Sequence, residues 1–237
     1  NDYDLVLTKT TTLLADGGTQ VVGELRDLAG LLREKTTTTI SDDGRLTIVS
    51  ADLNGDGQVD RQTSRSVAND GTVTETAIDT TETGALVSQE RRTISANGLA
   101  VTHEWDRDGD AQFERRAEVL RVLNADGSVS ETDTGRGLNS AAYASSTVTT
   151  SDDGLTVTRL DDLDGNGTTD LRTVSTKGVV TTGVVTETLE HRSADNSLID
   201  RQVIVTSADR RTVTTTIDLD GDGSTDRSSV STLLGDG

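Results

Sequence analysis

The sequence predicts an all-β protein, an open tandem array of about four four-stranded antiparallel β units of ~55 residues each, every unit carrying one acidic loop. Three observations carry this. The first is composition: 41 Thr and 23 Gly stand beside abundant Val and Ile, with no Pro, Cys or Met, and β-branched residues between glycines make short strands joined by tight turns. The second is self-similarity, since segments 52–60, 106–114, 162–170 and 218–226 are copies that start 54, 56 and 56 residues apart. The third is a set of Asp-Gly and Asn-Gly pairs between β-branched runs. Such pairs mark hairpin turns, because Gly tolerates the positive φ these turns impose, so consecutive strands are antiparallel neighbours.

Taken in order, each unit reads as strand, turn, strand, turn, strand, turn, strand, acidic loop. A Ser-led turn at 41–44, 95–98, 151–154 and 207–210 begins 11 residues ahead of each acidic loop. A further turn follows each loop, at 69–71 and 125–127, with counterparts at 15–17 and 235–237; the third full unit blurs it around Gly178 to Gly183. The remaining turn falls at 28–30, 83–84, 138–140 and 195–197. Strands are expected between them, as in Thr72-Val-Thr-Glu-Thr-Ala-Ile78 and Thr212-Val-Thr-Thr-Thr-Ile217. The stretch 27–35, with Leu28, Leu31 and Leu32, has one helical turn as its alternative, but its counterparts have strand-like neighbours. The units are 1–60, 61–114, 115–170 and 171–226, with 227–237 starting a further one.

A β-propeller would also use four strands per repeat, but the two ends argue for an open array. Asp4 stands where Asp60, Glu114, Asp170 and Asp226 stand, and the last residues restart the unit that opened as Thr-Thr-Leu-Leu-Ala-Asp-Gly17. A closed ring would use each strand once. The expectation is an elongated particle, excised from something longer, whose neighbouring repeats or identical subunits meet end to end.

Charge narrows the function. A formal charge of −19 opposes nucleic acid and anionic membrane as partners, and no apolar run is long enough to span a bilayer as a helix. Absence of Cys excludes disulfides, thiol chemistry and Cys-ligated zinc. The acid is clustered rather than spread, and clustering at fixed intervals points to bound cations.

Each acidic loop has the form D-x-[DN]-x-[DN]-G-x-x-[DE], except for Ala111 at the sixth position of the second. Carboxylates at alternating positions of a tight turn converge on one point, and the seventh residue can add its carbonyl, which is the chemistry of a Ca2+ loop. The expected side-chain ligands are Asp52, Asn54, Asp56 and Asp60; Asp106, Asp108, Asp110 and Glu114; Asp162, Asp164, Asn166 and Asp170; and Asp218, Asp220, Asp222 and Asp226. Carbonyls would come from Gln58, Gln112, Thr168 and Ser224. About four Ca2+ follow, one per repeat. The twelfth position, where an EF-hand places a bidentate Glu, holds Thr63, Ala117, Thr173 and Ser229, so a sensor's opening helix pair is not expected. Ala111 must accept a bend suited to Gly, which makes the second loop the most strained.

The loop 52–60 resembles the DxNxDGxxxD calcium loops of dockerins and thrombospondin type 3 repeats. Strings such as Ser151-Asp-Asp-Gly-Leu-Thr-Val-Thr and Asn124-Ala-Asp-Gly-Ser-Val-Ser-Glu-Thr132 are similar to tandem repeats of very large secreted bacterial calcium-binding proteins grouped with RTX-type adhesins. That resemblance implies type I secretion, calcium-driven folding outside the cell, and a place in an adhesin, stalk or extracellular filament. The GGxGxDxUx nonapeptide of RTX β-rolls is not present, so a parallel β-roll is not implied. The alternatives are a carbohydrate- or ice-binding β module, with surface or matrix polysaccharide as partner, and the shell of a larger secreted enzyme or toxin.

No catalytic set is expected. His103 and His191, the two histidines, lack a nucleophile or metal-ligand spacing. Glu24, Glu75, Glu131 and Glu187 read as a repeated strand position paired with Arg61, Arg115 and Arg172 on neighbouring strands. Trp105 reads as packing. Asn166 opens a glycosylation sequon but is better used as a calcium ligand.

Overall fold

The computed structural model describes residues 5–179 and 182–235. Seventeen strands and, among the described residues, no helix are present. The first repeat supplies β1 (Leu5–Leu13), β2 (Thr19–Asp27), β3 (Leu32–Ile40) and β4 (Leu46–Asp52). The second supplies β5 (Arg61–Val67), β6 (Val73–Thr80), β7 (Leu86–Ile94) and β8 (Ala100–Asp106). The third supplies β9 (Arg115–Leu123), β10 (Val129–Gly137), β11 (Ala142–Thr150) and β12 (Thr156–Asp162). The fourth supplies β13 (Leu171–Val179), β14 (Val185–Ser193), β15 (Leu198–Thr206) and β16 (Thr212–Asp218), and β17 (Arg227–Thr232) follows. The stretch 27–35 is the end of β2, a turn and the start of β3, so the strand reading holds there. Of the blurred turn, residues 180 and 181 lie outside the described residues, but Gly183 has φ +84°, close to Gly71 and Gly127 at its equivalent positions.

Two compact units divide the chain: residues up to Glu118 with Arg136–Ser140, and Val119–Gly135 with Ala141 onward. Each is an antiparallel meander. In the first, β1 to β8 pair in sequence order, and in the second β11 to β17 do the same. The ladder does not pause at a repeat boundary: β4 pairs with β5 from Leu46↔Ser66 to Ala51↔Arg61 across the acidic loop, much as β3 pairs with β4. Among the described residues no register joins β1 to β8 or β11 to β17, so neither meander closes on itself there. Repetition of four strands therefore lives in the sequence of the turns rather than in separated four-stranded blocks.

Turn chemistry fixes the alternation. In the Ser-led turns the Ser41 hydroxyl donates to Asp43 Oδ1 at 2.7 Å and accepts from the Leu46 amide, while Asp43 Oδ1 also accepts the Arg45 amide. Ser95 with Asn97, Ser151 with Asp153 and Ser207 with Asp209 repeat the arrangement. The turns after β2, β6, β10 and β14 each need one residue in the left-handed region, filled by Gly30, Gly84, Ser140 and Asn196. Because strands alternate direction, these turns and the acidic loops share one end of each meander, and the remaining turns share the other.

No hydrophobic side chain among the described residues is buried. Val, Leu, Ile and Ala, the apolar residues from which this composition would build a core, therefore form none among the described residues, because each meander is a single layer with both faces open. Side chains opposite one another in an antiparallel register share a face, and the two faces differ. On one, Glu75 lies between Arg65 at 3.7 Å and Arg92 at 3.1 Å, Arg61 faces Asp79, Lys177 meets Glu187 at 2.7 Å, and His191 Nδ1 meets Asp200 at 2.7 Å. The other face carries its charge near the acidic loops, at Glu190, Arg192 and Arg201, and is uncharged further away. There a row of Thr156, Thr176, Thr188, Val203, Thr216 and Ser228 crosses β12 to β17, and beside it runs Thr186, Val205, Thr214 and Val230. The first unit has the equivalent in Thr12, Gln20, Thr39, Ile48, Ser64 and Thr76 across β1 to β6, with the Ser64 and Thr76 hydroxyls 2.6 Å apart.

Two sequence expectations need correction. Glu24 is the sixth residue of β2, whereas Glu75, Glu131 and Glu187 are each the third of their strands, so Glu24 does not belong to that ladder. It pairs with Arg26 and Lys35. The ladder's cations are Arg65, Arg121 and Lys177, not Arg61, Arg115 and Arg172. Register is counted back from the turn, and that places the residue nearer the hairpin opposite the Glu.

Candidate metal loops

Each acidic loop is a hairpin connection whose first Asp ends a strand and points into the loop. Asp52, Asp106, Asp162 and Asp218 are 4%, 1%, 8% and 3% exposed, among the most buried residues described. Backbone amides hold them there. Asp52 Oδ1 accepts the Gly55 amide at 2.6 Å and Oδ2 the Gly57 amide at 2.8 Å. Asp106 does the same with Gly109 and Ala111, Asp162 with Gly165 and Gly167, and Asp218 with Gly221 and Gly223. Burial pushes the Asp162 carboxyl up, but the amides of Gly167, Gly165 and Asn166 outweigh it, and the group sits below the usual carboxylate range.

The third and fifth side chains continue the ladder. Asn54 Oδ1 accepts the Asp56 amide and Asp56 Oδ1 the Gln58 amide, and the other loops match. The ninth carboxylate locks the loop from the far side: Asp60, Glu114, Asp170 and Asp226 accept the amides of Leu53, Arg107, Leu163 and Leu219 at 2.7–3.0 Å. Position nine is therefore both lock and candidate ligand. The lock partner sits in the second loop residue, which reading side chains alone misses.

Another determinant was visible and unused. All four loops carry Gly at the fourth position, where φ is +71° to +79° and an added Cβ would collide with the carbonyl of Leu32, Leu86, Ala142 or Leu198. The loop lies back over the start of the strand after the neighbouring turn, so that position demands Gly twice over. The sixth position is different. Gly57, Gly167 and Gly223 have open space around them, and Ala111 fits at φ +66°, bearing only the backbone cost of the left-handed region.

Three loops bring carboxylates together closely enough to hold a metal ion. Ligand oxygens of Asp106, Asp108, Asp110 and Glu114 lie within 4.8 Å of one another, as do those of Asp162, Asp164 and Asp170, and of Asp218, Asp220 and Asp222. In the first loop Asp52, Asp56 and Asp60 form no such group among the described residues, and in the fourth Asp226 stands outside its group. The amides of Asn54 and Asn166 donate to Asp56 Oδ2 at 3.3 Å and Asp164 Oδ2 at 3.0 Å, offsetting part of the local negative charge. In the second loop one Glu114 oxygen, Oε1, is buried without a hydrogen-bond partner. A hard cation is the chemistry that satisfies such an oxygen beside three more carboxylates.

Trp105, immediately before the second loop, stacks on His103 with ring centroids 3.9 Å apart. Arg91 lies over the Phe113 ring at 4.7 Å and donates to Glu104 at 2.7 Å, and Arg115 lies over Trp105 at 5.6 Å. His103 is 3.6 Å from Glu90 and His191 Nδ1 is 2.7 Å from Asp200, so each histidine lies beside a carboxylate. Compared with known proteins, the chain matches no protein-family model and no curated protein.

Proposed function

We propose that this chain is a calcium-stabilised structural repeat segment of a secreted bacterial adhesin, stalk or extracellular filament. The observation that carries the reading is the convergence of carboxylates in three turns of a sheet in which none of the described hydrophobic side chains is buried. Oxygen-only donor sets suit Ca2+ over softer metals, and with no apolar core a bound ion at each hairpin becomes a large share of the stability. The residues that would hold it are those of the four loops, the first loop less readily because Asn54 replaces an acid and its carboxylates do not group. When bound, the ion supplies charge neutralisation and cross-linking of the hairpin, and this reading assigns the chain no reaction. The likeness of the repeat strings to secreted RTX-type adhesins supports an extracellular or cell-surface location, with neighbouring repeats or further subunits end to end as partners.

The test is thermal unfolding with Ca2+ against excess EGTA. A site at a hundredfold excess of ion over Kd adds about 2.7 kcal/mol, so several sites shift the midpoint by many degrees. An unchanged melt in EGTA overturns the reading, as does isothermal titration that detects no Ca2+ binding.

A further inference from the structure

Three Asn-Gly pairs lie in turns of this chain: Asn54-Gly55, Asn97-Gly98 and Asn166-Gly167. With no side chain on the second residue to shield it, the Gly nitrogen can close a ring with the Asn side-chain carbonyl beside it, which gives a succinimide. All three Asn are exposed, and in each Oδ1 accepts the amide two residues on, from Asp56, Leu99 and Thr168, a bond that folds the side chain back across the Gly peptide. The pairs differ in what holds the Gly nitrogen. The Gly55 amide donates to Asp52 Oδ1 at 2.6 Å and the Gly167 amide to Asp162 Oδ2 at 2.8 Å, and both of these aspartates are buried. The Gly98 amide donates instead to the Ser95 carbonyl, at 2.8 Å. A carboxylate holds an N–H more tightly than a neutral carbonyl does, and its charge opposes loss of the proton. On the carbonyl side Asn97 and Asn166 are alike, since Oδ1 of each also accepts a hydroxyl, from Ser95 at 2.8 Å and from Thr168. The nitrogen is where the two part.

We propose that Asn97 is a self-modification site, converted to aspartate or isoaspartate by attack of the Gly98 nitrogen, and that Asp52 and Asp162 hold Asn54 and Asn166 against the same reaction. Water or hydroxide takes the Gly98 amide proton, the nitrogen bonds to Asn97 Cγ, and the Ser95 hydroxyl and Leu99 amide support the charge that gathers on Oδ1. The Cγ–Nδ2 bond then breaks, and Nδ2 takes a proton and leaves as ammonia. One water opens the succinimide, at the side-chain carbonyl to give aspartate or at the main-chain carbonyl to give isoaspartate. Water is the sole co-reactant, so the reaction does not depend on calcium in the loops. The aspartate product has its place prepared. At the same position of the other Ser-led turns stand Asp43, Asp153 and Asp209, and each accepts the Ser hydroxyl and the amide two residues on, as Asn97 does. Those donors, the Ser hydroxyl first, hold the three carboxyls below the usual range. Conversion to aspartate at 97 therefore yields the fourth copy of a turn already present three times.

The experiment is peptide mapping by mass spectrometry after the whole chain is incubated in mildly alkaline buffer with Ca2+, with EGTA, or unfolded in guanidinium chloride, below the melting midpoints of the first two samples. The unfolded chain gives each Asn-Gly pair its own reference rate. In both folded samples Asn97 is expected to convert at least as fast as its reference, while Asn54 and Asn166 convert at least about tenfold more slowly than theirs. Protection of Asn97 equal to that of the other two overturns the proposal, and so does conversion of all three at their reference rates. Protection of Asn54 and Asn166 confined to the Ca2+ sample assigns it to the ion and overturns the part given to Asp52 and Asp162. A second measurement needs no incubation. Asn97→Asp should melt at least as high as the unaltered protein at neutral pH, and a lower melt overturns the fit of the product to the turn.

Discussion

Aspartate does two different jobs in this chain, and the turn 193–197 and the loop 106–114 show them side by side. In the first, Asp195 accepts from the hydroxyls of Ser193 and Ser197 and from the Ser197 amide, and these three donors pull its carboxyl from the ordinary 3.8 down to about 2. One acid meets enough donors and needs nothing further. In the loop, four acids share the donors of nine residues, and an oxygen of Glu114 is left buried with none. The capacity to hold a cation thus goes with a surplus of acid over local donors, and an acidic turn is not by itself a metal site. The first loop lies between these extremes, with Asn54 supplying a donor in place of one acid.

Removing the residue that organises the loop breaks the comparison most severely. Asp106→Ala strips the charged acceptor from the Gly109 and Ala111 amides, and hydrogen bonds to a charged group are worth about 1.5–3 kcal/mol each, so the calcium-free protein loses about 2–4 kcal/mol in urea unfolding. Next, Glu114→Gln turns the surplus oxygen into a neutral group. Calcium affinity of the second loop falls at least tenfold, about 1.4 kcal/mol, while the calcium-free form melts higher, and Trp105 fluorescence or Trp105-sensitised terbium emission reads the site directly. Unaltered affinity would mean that Glu114 only locks the loop. A smaller effect comes from Ala111→Gly, which relieves a left-handed Ala and stabilises the calcium-free protein by up to about 1 kcal/mol without changing the donor set.

The smallest effect is confined to acid. A carboxyl whose folded pKa is depressed stabilises the fold fully above its ordinary value and loses that contribution as pH falls through the folded one. For Asp195 the window runs from about pH 4 to about pH 2, and Asp43, Asp153 and Asp209, held down first by Ser41, Ser151 and Ser207, add to the same limb. Asp195→Asn should flatten the acid unfolding curve there and leave the response of the pH 7 melt to added Ca2+ the same as in the unaltered protein. A curve of unchanged steepness would show that the Ser hydroxyls do not govern that carboxyl.

Much of this was legible because turns are local. Ser151-Asp-Asp-Gly154 and Asp162-Leu-Asp-Gly165 announce their hydrogen bonds through residue type and spacing, and strand order in a meander follows from the turns alone. Ligand convergence was less legible: the first and third loops both carry one Asn among the expected ligands, yet only the third brings three carboxylates together. Register along the strands was legible only when counted from the nearest turn, which is why Glu24 was misplaced and Arg65 overlooked. The absence of buried apolar residues could not be read from alternation, because Val and Leu fall on both faces, and a pattern that fits a half-buried strand also fits one exposed on both sides.

The order of pairing has a kinetic consequence. Within each unit the described ladders join strands that are neighbours in the chain, so no strand waits for a partner that has yet to appear. The entropy of loop closure is met one short hairpin at a time, and each new strand finds its template already formed by the one before it. Such a chain can order itself in the direction in which it emerges from a narrow passage, each hairpin setting as it becomes free.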